Sequence, residues 1–325
     1  MRQSFPSAIF VLALFEVAIS NVSSGAENAV GVRGKWGCGA DPKTQQRLLI
    51  DKPGVYENYR IDGRWVGKNL VKIVADDVTL RNCEIFNGAH NAIVVYAKNV
   101  TIENCKIHHL LKGTFDKQAD AHGISGQPQN LTIRNCEIHH VSGDAVQFDP
   151  SRKPWSAVVI DNCSVWTAPL EADAAGFRKG ERPGENAIDT KNLAANPRAK
   201  LTIRDSLFYG WAADGQISNM AALNLKENIR AVVENCVFRG NEICLRMRGG
   251  RGERGGARVT LSDCGVYDSD VAVRAEDGIE DLKIVRLGVG DGIKRTLVRA
   301  GGGTGSGFEF TEVTPPSFEI RTPRR

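Results

Sequence analysis

Carboxylate and amide side chains that could transfer protons or bind a cation lie close together in two short segments of the chain. Asp144 and Asp149 are the first and last residues of the first segment, DAVQFD. Glu185, Asn186 and Asp189 belong to the second segment, ENAID. Paired carboxylates act as acid, base or nucleophile in glycoside hydrolysis, and hard oxygen ligands hold divalent cations. The two segments therefore indicate either carboxylate catalysis or a metal-assisted reaction.

Cationic side chains dominate the segments that follow. Lys191 comes just after the second acidic segment, Lys226 ends AALNLK, and Arg246 and Arg248 lie within ICLRMR. If these segments stack in chain order, acids occupy two neighbouring layers and bases occupy the next ones. This change of sign along one face suits an anionic sugar, bridged to the acids by a divalent cation and met directly by the basic residues. We therefore expect an acidic polysaccharide as the partner, and no nucleic acid.

The segments should stack because the chain is built from repeats. An alternating apolar and polar strand that ends in Asn or Asp recurs at intervals of 22 to 43 residues. Alternation predicts a short strand with one buried face, and Asn and Asp tolerate the left-handed conformation that a corner requires. The predicted corners are Asn82, Asn104, Asn135, Asn162, Asp205, Asn235 and Asp263.

Most of these intervals suit one solenoid coil of three short strands, with the excess length in loops. Leucine-rich repeats are of similar length, but their Leu-rich signature is missing. The sequence thus predicts an all-β fold, a single-stranded right-handed parallel β-helix of about seven or more coils.

A second strand follows each corner and should carry the candidate site. Keeping its inward residue in register gives two outward columns. The first column is Val94, Ser125, Gln147, Asp189, Asn224, Arg246 and Arg274. The second column is Tyr96, Gln127, Asp149, Lys191, Lys226, Arg248 and Glu276. At the corner before the strands stand Asn91, His122, Asp144 and Asn186.

Long insertions on both sides of these strands predict a groove with two walls, because loops on a rigid scaffold are where sites are built. The insertions before the strands are 112–121, 167–185 and 211–219, and those after them are 150–157, 192–200 and 249–258.

Two other columns run along the predicted solenoid. The first is Cys83, Cys105, Cys136, Cys163, Ser206, Cys236 and Cys264. Eight cysteines in an exported protein would normally indicate disulfides, but the serine in this column favours small, buried, unpaired residues. The second is Phe86, His108, His139, Trp166, Tyr209, Arg239 and Tyr267. We interpret it as an outward stacking ladder on the surface, with a sugar-binding platform as the alternative.

The two ends of the chain differ from the repeats. Arg2, an apolar run and the small residues at 24–26 predict a signal peptide over 1–26. The β-helix domain is then 27–300, followed by a Gly-rich and basic tail over 301–325. The net charge of +4 is mild and by itself names no partner. We expect a secreted monomer, extracellular or periplasmic, with no integral membrane segment once the signal is removed.

The coil pattern over about residues 70–280 resembles the pectate-lyase-like superfamily of right-handed parallel β-helix proteins. Within it, the segment 185–189 is similar to the acidic cluster of polysaccharide lyase family 9, where two adjacent acids and a third three residues on hold calcium with an acid from the preceding coil. The resemblance implies calcium as cofactor, with Asp144, Glu185, Asn186 and Asp189 as ligands. It also implies cleavage of a uronate-containing polymer such as pectate by β-elimination. Asn186 replaces an acid of the family and remains an acceptable oxygen ligand.

The catalytic base of that family is a lysine on a following coil, and the matching position here holds Asn224. Lys226 lies two residues further along the same face, between Lys191 and Arg248 in its column. Because neighbouring cations lower the pKa of a lysine, we assign the base to Lys226. Lys191 is the second candidate, although Asp149 beside it should raise its pKa.

Arg246 is predicted to stabilise the charge that develops on the substrate, and His122, Asp149 and Arg248 are predicted to bind it. Two other classes of function stay open. A glycoside hydrolase would use Asp144, Asp149 and Asp189 as its carboxylates. A non-catalytic carbohydrate-binding or cell-surface module would use the groove, or the aromatic column, only to bind.

Overall fold

The computed structural model describes residues 36–151, 153–250, 255–301 and 305–313. Its strands wind into ten stacked coils, and the paired strands run parallel to each other in two sheets. The predicted right-handed parallel β-helix is confirmed. The predicted signal peptide over 1–26 lies outside the described residues. In the part of the chain that is described, no helix is long and apolar enough to cross a membrane.

Within the described ranges, one sheet has ten strands, one from each coil, and carries the candidate site. Its strands are β2 (Leu48–Ile50), β5 (Val71–Ile73), β8 (Ile93–Val95), β11 (Ile124–Gly126), β14 (Val146–Phe148), β17 (Asn186–Thr190), β20 (Ala221–Lys226), β23 (Ile243–Arg248), β25 (Val271–Glu276) and β27 (Arg295–Ala300).

The other sheet has 18 strands in the part of the chain that the structure describes, two from most coils, on either side of the Asn corner. Its strands are β1 (Lys43–Gln45), β3 (Gly54–Glu57), β4 (Tyr59–Val66), β6 (Val78–Arg81), β7 (Glu84–Gly88), β9 (Lys98–Glu103), β10 (Lys106–Leu110), β12 (Gln129–Arg134), β13 (Glu137–Val141), β15 (Ser156–Asp161), β16 (Ser164–Trp166), β18 (Ala199–Arg204), β19 (Leu207–Tyr209), β21 (Ile229–Glu234), β22 (Val237–Arg239), β24 (Arg258–Tyr267), β26 (Asp281–Val289) and β28 (Gly307–Glu312).

The corner residues form the predicted column. All seven have positive φ, between 48° at Asn235 and 54° at Asn104 and Asp263. Amide side chains bond along the axis: Asn104 Nδ2 donates to Asn82 Oδ1 at 3.1 Å, and Asn135 Nδ2 donates to Asn104 Oδ1 at 2.5 Å. This ladder satisfies polar groups that would otherwise be left unpaired between coils.

The helix extends beyond the seven predicted corners at both ends. Asn58 and Arg286 also have positive φ, of 59° and 55°, and continue the corner column. Neither fits the sequence repeat, since no Cys follows Asn58 and Arg286 is neither Asn nor Asp. At the C-terminal end, Gly307–Glu312 pairs with Asp281–Val289, so the sheet continues past residue 300 into the segment predicted as a tail.

The cysteine column lies inside the solenoid, as predicted. All eight cysteines of the chain are unpaired, and every one except Cys38 is buried. Cys163 Sγ donates to the carbonyl of Asp161 at 3.3 Å, and Ser206 Oγ makes the equivalent bond to Arg204 at 2.7 Å. Serine therefore fits the column because its hydroxyl repeats the local contact of the thiol.

The register of the ten-stranded sheet agrees with the sequence alignment. Gln147 pairs with Asp189, Asp189 with Asn224, and Asn224 with Arg246. Residues that alternate with these along the strands, such as Ile188 and Leu223, point inward and are buried in the core. Since a slip of one residue would exchange the two faces of a strand, this register places both predicted outward columns on one face.

Candidate functional site

The centre of the candidate site is a carboxylate held between two lysines, here called the Lys–Asp–Lys cluster (Lys191, Asp189 and Lys226). The Nζ of Lys226 is 2.8 Å from Oδ1 of Asp189, and the Nζ of Lys191 is 3.7 Å from Oδ2. Asn224 Nδ2 also donates to Oδ1, at 2.9 Å. The structure thus brings together two predicted catalytic lysines and a predicted metal ligand on consecutive coils.

The two lysines differ in their exposure. The side chain of Lys226 is 6% exposed, whereas that of Lys191 is 29% exposed. Burial acts to lower the pKa of Lys191, but the charges of Asp189, Asp144 and Asp149 outweigh it and hold the pKa above its usual value. Lys191 is therefore a permanent, reachable cation, and the predicted rise in its pKa is confirmed.

Lys226 has a different environment from the one on which its assignment as base rested. Arg248 pairs with it in register, as predicted. Its short contact is nevertheless with the Asp189 carboxylate, which lies on the preceding coil. Crowding by like charges is thus replaced by a close ion pair, and any role as a base requires that the proton leave Nζ.

Corner side chains before the strands hold consecutive coils together. Asn91 Oδ1 accepts the backbone N–H of His122 at 3.0 Å, and His122 Nδ1 accepts the backbone N–H of Asp144 at 2.9 Å. Burial lowers the pKa of His122, which fits a neutral ring that accepts at Nδ1. The predicted contact of His122 with substrate is thus limited to its Nε2, which lies 3.9 Å from Oδ2 of Asp120.

Asp144 is completely buried, and both of its carboxylate oxygens accept hydrogen bonds from neighbouring side chains. Its Oδ1 accepts from Asn186 Nδ2 and its Oδ2 from Gln147 Nε2, both at 2.8 Å. Burial and then the charges of Asp189 and Glu185 raise the pKa of Asp144 well above its usual value. Asp144 is therefore a structural carboxyl that substrate cannot reach, contrary to the hydrolase interpretation that used it.

Glu185 lies at the rim of the same group of acids and is only partly buried. Burial, followed by the charges of Asp189 and Asp120, raises its pKa. A carboxyl with a raised pKa that solvent can reach is better suited to donate a proton than an ordinary carboxyl.

Three of the four residues predicted to bind calcium, Asp144, Asn186 and Asp189, already have partners within the chain. Both oxygens of Asp144 accept amide protons, and Asn186 Oδ1 accepts the backbone N–H of Ala221 at 3.1 Å. The oxygens of Asp189 face the ammonium groups of Lys191 and Lys226. Because calcium requires six to eight converging oxygens, and amide groups or lysines of the chain already occupy the oxygens of these three side chains, they do not fit a calcium ion.

The positive charge of Arg246, which was predicted to be catalytic, is compensated by Glu276, a carboxylate that had no predicted role. Arg246 Nε donates to Oε1 of Glu276 at 2.9 Å, and Arg274 Nε donates to the same oxygen at 2.8 Å. Burial acts to raise the pKa of Glu276, but the two guanidinium groups outweigh it and lower the pKa. Arg246 thus belongs to a separate ion-pair network two coils beyond Asp189.

Two predicted insertions pack together and form one wall beside the site. Leu111, Leu170 and Phe177 make a small apolar cluster between them, and Gln118 Nε2 donates to the carbonyl of Gly184 at 2.9 Å. A short 3-10 helix, Phe115–Lys117, lies in the first insertion. On the opposite side, Trp155 Nε1 donates to the carbonyl of Lys191 at 2.9 Å. The two insertions therefore form a packed wall on one side of the predicted groove, and the buried Trp155 anchors the backbone of Lys191.

The rings of the aromatic column stack as predicted, but most of them are buried, so their predicted place on the surface is wrong. The rings of Phe86, His108, His139, Trp166 and Tyr209 stack in sequence, with centroids 5.2, 4.9, 4.2 and 5.5 Å apart. Trp166, Tyr209 and Tyr267 also pack against Leu207 and Val237, and little of their surface is exposed. The column cannot serve as a sugar platform in this state.

The histidine doublets extend this stack. His108 Nδ1 lies 2.7 Å from His109 Nδ1, and His139 Nδ1 lies 2.6 Å from His140 Nδ1. Among the described residues, His109, His139 and His140 form a set of three whose ligand atoms lie within 4.8 Å of one another. Each of these Nδ1 atoms is engaged within its own doublet, so the doublets act as hydrogen-bonded pairs.

Four residues of the site were not assigned a role from the sequence: Asn224, Gln147, Asp120 and Glu276. The first two occupy the outward column of Asp189, so the register itself was a signal that could have found them. Glu276 could have been found because it follows Arg248 in the second outward column and is an acid next to a coil that carries two arginines. Asp120 lies in an insertion, where no repeat fixes its position.

Comparisons with known proteins agree on the fold. A family described as right-handed beta helix region matches residues 69–168. No curated protein sequence matches the chain.

Three solved structures show the breadth of the similarity. Pectate lyase Pel9A is 12% identical, with a TM-score of 0.50, over 84% of this chain and 67% of that one. The Dettilon tailspike protein is 10% identical, with a TM-score of 0.50, over 82% of this chain and 60% of the tailspike. An alginate lyase from Paenibacillus sp. is 13% identical, with a TM-score of 0.49, over 83% and 88%. The resemblance to β-helix proteins is thus confirmed as a likeness of fold.

Proposed function

We propose that this protein is a secreted polysaccharide lyase that cleaves a uronate-containing polymer, such as pectate, by β-elimination. The observation that carries the proposal is the Lys–Asp–Lys cluster, in which a reachable cation and a buried amine flank one carboxylate on the walled face. The pectate lyase of similar fold is consistent with it, although a shared fold alone does not establish activity.

Lys191 would bind the uronate. β-Elimination removes the proton on the carbon next to the substrate carboxylate, and this proton is acidic enough only when the carboxylate charge is compensated. Lys191 is charged, partly exposed and fixed by the bond from Trp155 to its carbonyl. It therefore takes the neutralising role that the sequence analysis gave to calcium and Arg246.

Lys226 would be the base. When a sugar covers the cluster, the ion pair of Lys226 with Asp189 loses its remaining water, and charge separation becomes more costly. Transfer of one proton across the 2.8 Å from Nζ to Oδ1 then leaves a neutral amine beside a neutral carboxyl. The amine takes the substrate proton, the C–H electron pair becomes the new double bond, and the C–O bond to the departing sugar breaks as that oxygen takes up the proton held by Asp189, which restores the ion pair.

The experiment is an assay of a panel of polyuronates for products that absorb in the ultraviolet, because β-elimination leaves an unsaturated sugar. Absorbing products from wild type, and none from Lys226→Met, are expected. Polymer binding with no cleavage of any kind would instead support a binding module.

A glycoside hydrolase is the second candidate, favoured by the raised pKa of Glu185. Glu185 would act as the acid, with the more exposed Asp149 as the second carboxylate. New reducing ends without ultraviolet absorbance would support this reaction and contradict the lyase.

A further inference from the structure

A second groove lies on the same face, several coils before the Lys–Asp–Lys cluster. It has a volume of about 310 Å³ and is lined by Lys72, Val74, Tyr96, Gln127 and Lys153. We call it the distal groove. We propose that it binds an anionic sugar ring of the same polymer, a role that rests on the proposed function.

Two residues of the distal groove, Tyr96 and Gln127, lie in the outward column that also contains Lys191 and Lys226. The backbone N–H of Gln127 bonds to the carbonyl of Val95 at 2.9 Å, and that of Lys191 bonds to the carbonyl of Phe148 at 2.9 Å. These bonds continue the parallel register beyond the strand ends, so Tyr96, Gln127, Asp149 and Lys191 follow one another on successive coils. Three coil spacings of about 4.8 Å place Tyr96 roughly 14 Å from Lys191, about the length of three sugar rings.

The charge of the distal groove selects an anion. Among the described residues, two amines and no carboxylate line it. Lys72 Nζ lies 5.9 Å from the centre of the Tyr96 ring, and Lys153 Nζ donates to the Tyr96 carbonyl at 3.0 Å. Both amines therefore stand beside Tyr96, Lys72 at its ring and Lys153 at its carbonyl, where they can meet one carboxylate.

The remaining lining residues fit the other parts of a sugar. Tyr96 and Val74, which is 40% exposed, offer apolar surface to the C–H face of a pyranose ring. Gln127 is almost completely buried, and its Nε2 donates to the Asp149 carbonyl at 2.7 Å. Among the residues that the structure describes, its Oε1 has no hydrogen-bond partner, and this atom is itself buried. Gln127 therefore forms the floor of the groove and does not meet the sugar through Oε1.

The chemistry of the distal groove thus matches that of a uronate ring, and its distance makes it a binding site remote from cleavage. A polymer that spans both regions would gain affinity from the groove, whereas a disaccharide at the cluster would not.

The test is calorimetry with an octamer of galacturonate on wild type, Tyr96→Ala and the double variant Lys72→Met/Lys153→Met, with cleavage of the disaccharide and octamer measured in parallel. The octamer Kd should rise roughly tenfold in each variant, in line with one aromatic contact or two exposed charges. Cleavage of the disaccharide should stay unchanged. Lys98→Met, an exposed lysine on the other sheet of the Tyr96 coil, is the matched control.

The outcomes separate the two proposals. Octamer binding that weakens in both variants supports the distal groove even if no cleavage is found, in which case the lyase proposal alone fails. Octamer binding that is equal in wild type and the double lysine variant overturns the distal groove and leaves the lyase proposal standing. A wild type that binds no octamer overturns both.

Discussion

The Nζ of Lys226 lies 2.8 Å from Oδ1 of Asp189, and the two side chains come from adjacent coils and are almost removed from solvent. A buried ion pair of this kind is costly to desolvate, and replacement by apolar residues is often neutral or stabilising. The pair is therefore weak evidence for a role in stability, and the catalytic role proposed for it can be tested by substitution.

Lys226→Met should lower kcat on a polyuronate by roughly a hundredfold or more, because the general base is removed while the surface that binds the polymer is kept. Initial rates from ultraviolet absorbance would measure it, with Lys200→Met on the exposed face of β18 as the control. An unchanged kcat would exclude Lys226 as the base.

Removal of divalent metal should leave the activity unchanged. The oxygens of Asp189 already face two ammonium groups, and those of Asp144 accept amide protons, so the structure needs no calcium to compensate these charges. Rates before and after treatment with a chelator would check this. A loss that added calcium restores would contradict the prediction and support the ligand set implied by the sequence resemblance.

Asn135→Ala should destabilise the solenoid by about 2–3 kcal/mol. Asn135 has φ of 49° and donates to Asn104. Alanine loses about 1–2 kcal/mol in the left-handed conformation and about 1 kcal/mol from the hydrogen bond. Asn135→Gly keeps the conformation and should cost less in chemical denaturation. Equal losses in the two variants would show that φ is not the cause.

The histidine doublets should make the fold sensitive to acid. Burial, followed by neighbouring charges, lowers the pKa of His109 from 6.5 to about 4 and that of His140 to about 3. The unfolded chain therefore binds protons first, so the contribution of these residues is complete above about pH 6.5 and declines as the pH falls toward 4 and 3. For His109 alone the loss is roughly 3 kcal/mol.

Urea unfolding between pH 8 and pH 4 would measure this decline. Both histidines have positive φ, near 54° and 50°. The double variant His109→Asn/His140→Asn therefore keeps a residue that tolerates this conformation and should show a flatter pH dependence. A slope equal to that of wild type would assign the acid sensitivity to other groups.

The site could be predicted only in part. The register placed Asp189, Lys191, Lys226 and Arg246 on one face, because side chains alternate along a strand and coils stack at a fixed spacing. The ion pairs between these charged residues could not be predicted, because they depend on the conformations of side chains on adjacent coils. Lys226 meets a carboxylate rather than a cation, and Arg246 meets Glu276.

The sequence by itself determined the solenoid, the Asn corners and the buried thiols, because each follows from the local preference of a residue type repeated at one place in every coil. Only the tertiary structure decided which side chains outside the core are buried by their neighbours. The rings from Phe86 to Tyr209 are buried by stacking on one another and, at Trp166 and Tyr209, by packing against Leu207 and Val237, and Asp144 is enclosed by Asn186 and Gln147. Burial by neighbours on other coils leaves no periodic signal in the chain, because it depends on contacts between residues far apart in sequence.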